Sequence, residues 1–313
     1  MATSPLPEAR LELELERWSD RMAPPLARLL GHAVELSLLC GGKEAADDTL
    51  KLRVADSRGI SRAVVLVASP VAPELVARGV ERAAAAKAAL GPEIGDVILE
   101  PLMTGLMERR SYCVLPYHTP MRHRGLVARL QYAWLGPTLL AWLRAAARHT
   151  LAPVGSAARE QRFERALTHL LDRDGVSGRV RSAAERSLVR LRDGKWTPRH
   201  VLMHGDLWCG NVLLAPAPGL RRPRTILIDW PGAAVRGHAI YDLIRLAQSL
   251  RMGRAAVRRE IACHAAILGC DPTDTAGHLL AGLGHVGLHI DRFPVARYQA
   301  MTDACVATLE AAL

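Results

Sequence analysis

The sequence VLMHGDLWCGNVLL at residues 201–214 places a polar segment between two short apolar runs. A third apolar run, TILIDW, follows at residues 225–230 after a turn rich in proline and arginine. Short apolar runs bounded by turn residues are typical of buried strands, so the pattern predicts a β-hairpin. Such a hairpin would hold Asn211 and Asp229 beside each other and would place Asp206 in the loop before them.

Three oxygen-bearing side chains in this segment match the requirements of phosphoryl transfer. The reaction needs a carboxylate that orients or deprotonates the attacking hydroxyl, and oxygen ligands for Mg²⁺. Asp206 can supply the carboxylate, and Asn211 and Asp229 can supply the ligands. Because five positions separate Asp206 from Asn211, one loop can direct the first at an acceptor and the second at a metal. Asp and Asn are also ordinary turn residues, so either motif alone would be a weak signal.

The whole pattern, HGDxxxxN followed by IDW at residues 228–230, resembles the aminoglycoside phosphotransferase and choline kinase group. The resemblance implies a protein-kinase-like fold and the use of ATP with Mg²⁺. It implies that Asp206 is the catalytic base and that Asn211 and Asp229 bind magnesium. It also implies that His204 and Asp242 support the catalytic loop.

The order of the expected elements agrees with that fold. Helices are predicted at 8–31 and 72–90, and strands at 34–38, 50–54, 63–68, 97–101 and 111–116. Further helices are predicted at 124–135, 138–149, 157–172 and 178–193, and from 238 to the end. We therefore predict an α+β, two-lobed fold. A small antiparallel β-rich lobe with a leading helix (1–118) would bind the nucleotide, and a larger helical lobe (119–313) would carry the catalytic and acceptor sites.

The first lobe of such a fold supplies a glycine loop over the phosphates, a lysine on the third strand and a helix glutamate that pairs with this lysine. Cys40-Gly41-Gly42-Lys43 can form the loop, although a plain hairpin turn would use the same glycines. Glu81 is the first candidate for the helix carboxylate and Glu74 the second; a solvated helix residue is the alternative for both. The segment VLPYH at 114–118 is the expected hinge, which in this fold offers backbone groups to adenine.

The expected strand lysine is absent. Val67 occupies its slot in the third strand, and no lysine occurs from 52 to 86. One possibility is that another cation replaces it, either Lys51 or Arg53, which share one face of the second strand, or Lys43 in the loop. The other is that the protein is a pseudokinase with weakened or lost nucleotide binding. We favour an active enzyme because the base and both metal ligands are retained. The predicted nucleotide-binding residues are Gly41, Gly42, Lys43, Lys51, Glu81, Leu115 and Tyr117.

In the family that the chain resembles, the helical lobe and the C-terminal helices form the acceptor pocket. His278, His285 and His289 recur there at helical spacing, but the glutamate of an HExxH zinc site is missing. Histidines on one helix face more often line a core or a pocket. Contact with the acceptor is therefore predicted for His285, His289 and Asp291.

The charge of the C-terminal region bears on the kind of acceptor. Residues 231–313 contain seven acidic and eight basic residues, whereas a polycationic aminoglycoside would require an acidic pocket. A neutral or anionic hydroxyl compound, such as a sugar, a polyol or a glycolipid, fits this balance better.

Composition limits the other functions. The net charge is +10, with sixteen basic and six acidic residues between 121 and 200, which would suit anionic lipid or nucleic acid. Because no nucleic-acid motif accompanies these arginines, a solvated helical face is preferred, with membrane-surface contact as an alternative. Six cysteines without CxxC pairs, no secretory pattern at the start and no apolar run long enough to span a bilayer predict a cytoplasmic protein.

Overall fold

A computed structural model describes residues 8–40, 49–122, 124–216, 223–289 and 295–313. The chain divides into two compact units, one of residues 1–84 with 99–119 and the other of residues 85–98 with 120–313. The first unit is built on a sheet and the second is mainly helical, which is the predicted α+β arrangement. The units differ from the predicted lobes in residues 85–98, which belong to the helical unit, and in residue 119, which belongs to the first unit.

The first unit is an antiparallel five-stranded sheet in the order β1-β2-β3-β5-β4. Its strands are β1 (Val34–Cys40), β2 (Leu50–Asp56), β3 (Ser61–Val67), β4 (Met103–Met107) and β5 (Arg110–Pro116). Helix α1 (Glu8–Leu30) covers one face and buries Trp18, Met22 and Leu26 in a cluster with strand residues such as Val65. The first turns of α2 (Leu75–Ile94) cover the other face, where Val76 packs in a cluster with Cys113. Alternate side chains of the strands thus pack against α1 on one face of the sheet and against α2 on the other.

The predicted strand at 97–101 is wrong. Residues Gly95–Val97 form a 3₁₀ turn, and Ile98 makes a single parallel bridge to Leu227 in the second unit. Pro101 has no N–H to donate to a ladder, and the strand begins only after it, as β4.

The second unit surrounds a few short strands with helices. Its helices are α3 (Gly125–Thr150), α4 (Ser156–Ala158), a π-helical segment (Arg159–Glu164), α5 (Arg165–Asp172), α6 (Gly178–Arg192), α7 (Tyr241–Ser249), α8 (Arg254–Leu268), α9 (Thr275–Leu288) and α10 (Val295–Glu310). Its strands are β6 (Thr119–Pro120, at the boundary of the units), β7 (Ala152–Pro153), β8 (Arg199–Met203), β9 (Val212–Ala215), β10 (Arg224–Leu227) and β11 (Ala234–His238). β9 and β10 form the predicted antiparallel hairpin, and β8 pairs with β7 and β11.

The predicted break between helices 124–135 and 138–149 does not occur. One helix, α3, runs through Pro137. A proline inside a helix costs about 3 kcal/mol. Burial of an apolar face that includes Leu135, Leu139 and Leu143 offsets this cost, since each buried leucine contributes about 1.5–3 kcal/mol. In the described ranges, no helix is long and apolar enough to cross a membrane.

Candidate active site

The polar segment leaves strand β8 at Met203 and returns to the hairpin through a 3₁₀ turn at Cys209–Asn211. Residues 204–211 contain the predicted catalytic base, and we name them the catalytic loop for this reason. Its first bend needs glycine, because Gly205 has a φ of 87°. A Cβ at this position would also lie 2.5 Å from the carbonyl oxygen of Gly232. The HG pair of the motif therefore reflects a backbone shape that other residues would strain.

Asp242, at the start of α7, binds the backbone of the catalytic loop through its carboxylate. Its buried carboxylate accepts hydrogen bonds from the backbone N–H groups of His204 (2.6 Å) and Gly205 (3.1 Å). Burial raises the pKa of Asp242 to about 7, although the N–H groups of His204, Gly205 and Leu207 act in the opposite direction. One side chain thus holds the backbone at the start of the loop, which is what a supporting role requires.

His204 ties the loop to the hairpin. Its Nδ1 accepts the N–H of Asp206 at 3.3 Å, which leaves Nε2–H to donate to the carbonyl oxygen of Ile228 at 3.0 Å. The ring lies 4.3 Å from the ring of Trp230, the last residue of the IDW motif. Burial lowers the pKa of His204 to about 4, so the imidazole is neutral near pH 7. A neutral ring is the form that can both accept and donate in this way.

Asp206 and Asn211 are held together directly. The amide nitrogen of Asn211 donates to the backbone oxygen of Asp206 at 2.8 Å and to its carboxylate oxygen Oδ2 at 3.1 Å. The amide oxygen of Asn211 is therefore the atom that can bind a metal. The side chain of Asp206 is 47% exposed, so its carboxylate can meet a substrate.

The hairpin brings Asp229 close to Asn211 along the backbone. Leu227 pairs with Val212, and the N–H of Ile228 donates to the carbonyl oxygen of Asn211 at 3.1 Å. Asp229 follows with a φ of 71°, a strained value for a residue other than glycine. An amide oxygen and a carboxylate at this end of the hairpin suit Mg²⁺, which binds one or two such groups and keeps water and phosphate in its other positions.

Sequence reasoning missed Arg245. Its Nη2 atom lies 3.5 Å from Oδ1 of Asp206, and its side chain is largely buried. Arg245 stands three residues after Asp242 on α7, so both face the catalytic loop. The helical spacing from Asp242 was the signal that could have identified it. Ser249, one turn further along, accepts the N–H of Cys209 at 3.1 Å and fixes the end of the loop.

The predicted nucleotide-binding residues belong to the first unit. Lys51 is half-buried on β2, and Glu81 is exposed on α2. Leu115 pairs with Val64 across β5 and β3, and Tyr117 donates its N–H to the carbonyl oxygen of Arg62 at 3.0 Å. Gly41, Gly42 and Lys43 lie outside the described residues. The role of all these residues in nucleotide binding stays a prediction.

The predicted slot of the missing strand lysine is wrong by one residue. A lysine that pairs with a carboxylate of α2 must lie on the sheet face that α2 covers. Val67 is fully buried on the opposite face, in the cluster with α1, whereas Leu66 packs with the α2 cluster. Strand register places Lys51 directly opposite Leu66, and paired residues of antiparallel strands project from the same face. Lys51 is therefore on the face where the lysine is expected.

The predicted acceptor-binding histidines form a short row of rings. Nδ1 of His289 donates to the carbonyl oxygen of His285 at 2.8 Å, and their rings are 4.3 Å apart. The ring of His285 lies 5.1 Å from that of His238. Asp291 lies outside the described residues, within which no group of three or more His, Cys, Asp or Glu side chains is placed to hold a metal. Acceptor binding by His285, His289 and Asp291 stays a prediction.

His278 is a core residue whose burial opposes its protonation. It is fully buried against the rings of Phe163 and Trp196, and neither ring nitrogen has a hydrogen-bond partner among the described residues. Burial lowers its pKa to about 3. Below about pH 6.5 the unfolded chain therefore binds a proton that the folded protein does not bind, and stability falls by as much as about 1.4 kcal/mol per pH unit.

We expect His278→Leu to remove the contribution of this histidine to the loss of stability in acid. Urea unfolding measures the free energy of unfolding of the variant minus that of wild type. This difference should be about 2 kcal/mol more favourable to the variant at pH 5 than at pH 7.5. His149→Leu, at an exposed histidine, is the surface control. An equal gain for His278→Leu at the two pH values would contradict the prediction.

The sequence matches the family model described as the phosphotransferase enzyme family over residues 51–278, and the chain belongs to this family. The resemblance stated from the motifs is thereby confirmed. A comparison with curated proteins found no match.

Solved kinases and phosphotransferases share the fold. A thermostable mutant of aminoglycoside phosphotransferase APH(4)-Ia is 19% identical, over 91% of this chain and 98% of that one, with a TM-score of 0.57. Choline kinase LicA from Streptococcus pneumoniae is 11% identical over 94% and 99% of the chains, with a TM-score of 0.54. A choline/ethanolamine kinase family protein from Mesorhizobium loti is 16% identical over 94% of each chain, with a TM-score of 0.50. At these identities the likeness shows the protein-kinase-like fold, as predicted.

Proposed function

We propose that the protein transfers the γ-phosphoryl group of ATP, with Mg²⁺, to a hydroxyl group of a small molecule. The observation that carries the proposal is the bonded pair of Asp206 and Asn211 in one loop. It joins a half-exposed carboxylate to an amide whose oxygen is available for a metal. Phosphoryl transfer requires these two groups side by side.

Each residue of the loop and hairpin has its own part in the proposed reaction. Asp206 accepts the proton of the acceptor hydroxyl and orients its oxygen. The amide oxygen of Asn211 and the carboxylate of Asp229 hold Mg²⁺, which when bound offsets the negative charge of the phosphates. His204 and Asp242 keep the loop in shape through the contacts described above.

The proposal includes ATP as donor and a cytoplasmic location. All six cysteines are free, which suits a reducing compartment. A fold neighbour at a TM-score of 0.50, a mutant of an aminoglycoside 2′-phosphotransferase, is described as a GDP complex. GTP should therefore be tested beside ATP as the phosphoryl donor.

Consumption of ATP tests the proposal. The purified protein is incubated with MgATP or MgGTP and a panel of sugars, polyols, sugar acids, amino alcohols and aminoglycosides, with EDTA as the metal-free control. We expect acceptor-dependent ADP formation that EDTA abolishes. A non-catalytic pseudokinase, which the missing strand lysine favours, would instead show ATP-induced thermal stabilisation without turnover.

Lys51 is the proposed cation of the nucleotide site, and its register position provides a direct test. We expect Lys51→Leu to weaken ATP binding about 10- to 100-fold, the range for a lost charge-assisted hydrogen bond. The exchange variant Lys51→Leu/Leu66→Lys puts the lysine back on the same face, one strand over, and should recover part of the loss.

Calorimetric titration with ATP measures both effects. Lys195→Leu, which removes an exposed lysine paired with Asp193, is the control and should leave affinity unchanged. Unchanged affinity in Lys51→Leu would exclude Lys51 as the replacement cation.

A further inference from the structure

The two carboxylate oxygens of Asp206 have different neighbours. Oδ2 accepts the amide of Asn211 at 3.1 Å, on the side proposed for the metal. Oδ1 has the guanidinium of Arg245 at 3.5 Å, too far for a strong hydrogen bond. Oδ1 is therefore the oxygen left for the acceptor hydroxyl, and Arg245 lies beside the place where that hydroxyl would bind.

Arg245 has more donors than its described surroundings use. A guanidinium carries five N–H donors. The Nε of Arg245 is buried without a hydrogen-bond partner among the described residues, and within the same ranges its ion pair is the long contact with Asp206. Burying a charged group with unmet donors is costly unless a ligand meets them.

The position of Arg245 points to the acceptor rather than to the metal. Besides Asp206, Arg245 has as neighbours Tyr241 on the same helix and Cys305 on the C-terminal helix α10. Helix α10 packs against α7 through contacts such as that of Gln248 with Thr308. Asn211, by contrast, contacts the other oxygen of Asp206. Arg245 is thus on the side of the base that faces α10.

We infer that Arg245 binds the acceptor, and that this acceptor carries a carboxylate or phosphate group close to the hydroxyl that is phosphorylated. The inference rests on the proposed function and narrows its substrate class. A hydroxyl within about 3 Å of Oδ1 brings a neighbouring anionic group within reach of the guanidinium fork, which suits carboxylate and phosphate oxygens. An ammonium group at the same place would be repelled.

Acceptors that differ in charge but share a skeleton test this inference. The hexose set is glucuronate, glucose 6-phosphate, glucose and glucosamine, and the small set is glycerate, glycerol 3-phosphate, glycerol and 3-amino-1,2-propanediol. ADP formation at saturating MgATP gives kcat and KM for wild type, Arg245→Gln and Arg245→Glu. Arg179→Gln is the matched control, because it removes an exposed ion pair, with Glu310, of the same 3.5 Å length.

In wild type we expect kcat/KM to favour the anionic member of a set over the neutral one by about 10- to 100-fold, and to be lowest for the ammonium member. Preference for the carboxylate or for the phosphate member identifies the anionic group. Arg245→Gln should abolish the preference, mainly through KM of the anionic acceptors. Arg245→Glu should reverse it, and Arg179→Gln should preserve it.

Two results would overturn the inference while the proposed function stands. The first is a charge preference that Arg245→Gln leaves intact. The second is an equal fall in kcat for every acceptor, which would show that Arg245 only positions Asp206 or contacts the transferred phosphoryl group. No turnover with any acceptor, together with no ATP-induced thermal shift, would overturn the proposed function itself and this inference with it.

Discussion

Replacement of Asp206 by asparagine is expected to lower kcat about 10²- to 10⁴-fold, the contribution of a general base, with little change in affinity for MgATP. Asparagine has nearly the same shape and can still accept the amide of Asn211, so the loop should keep its form. It cannot accept the proton of the acceptor hydroxyl. Steady-state ADP formation with the best acceptor of the panel gives kcat, and calorimetric titration gives the dissociation constant of ATP.

The control for this experiment is Asp193→Asn, at an exposed aspartate that pairs with Lys195 at 2.9 Å. It removes the same charge elsewhere and should leave kcat unchanged. Undiminished turnover in Asp206→Asn would remove Asp206 from the catalytic role. Loss of ATP binding together with turnover would show instead that the substitution disturbs the whole loop.

The catalytic loop could be predicted from the sequence because its chemistry and its shape depend on neighbouring residues. The requirement for glycine at 205, the amide of Asn211 that returns to Asp206, and the hairpin that carries Asp229 all lie within thirty residues. The support from Asp242 is more distant in the chain and was identified through the family resemblance. Its contacts with backbone N–H groups of the loop give that support a physical basis.

The remaining errors arose where packing outweighs local pattern. Burial along one face carries α3 through Pro137, although a proline predicts a break. The position of the strand lysine was assigned to Val67 from its place in the apolar run. In the sheet, successive residues of a strand point to opposite faces, so Val67 packs against α1 while its neighbour Leu66 packs on the α2 side. Arg245 matches no motif, so only a contact in three dimensions relates it to Asp206.

Asp242 offers the second large effect, on stability and turnover together. Asp242→Ala would leave the buried N–H groups of His204, Gly205 and Leu207 without their acceptor. Each such loss costs about 1–3 kcal/mol, so we expect the free energy of unfolding to fall by several kcal/mol. Because these groups shape the catalytic loop, turnover should be lost even under conditions where the variant remains folded. Urea unfolding and ADP formation on the same preparation measure both quantities.

A matched control separates the two effects. Asp274 is also buried and pairs with Arg190 at 2.8 Å, so Asp274→Ala should destabilise the protein and leave kcat unchanged.

Asp242→Asn adds a test of pH. The pKa of Asp242 is raised to about 7 from 3.8, so its contribution to stability is complete below about pH 3.8 and is lost as the pH rises through 7. Asparagine does not titrate, and the difference in unfolding free energy between wild type and Asp242→Asn should therefore be larger at pH 5 than at pH 8. A difference that grows with pH would mean that Asp242 acts as a charged carboxylate throughout, held by the loop N–H groups against the effect of burial.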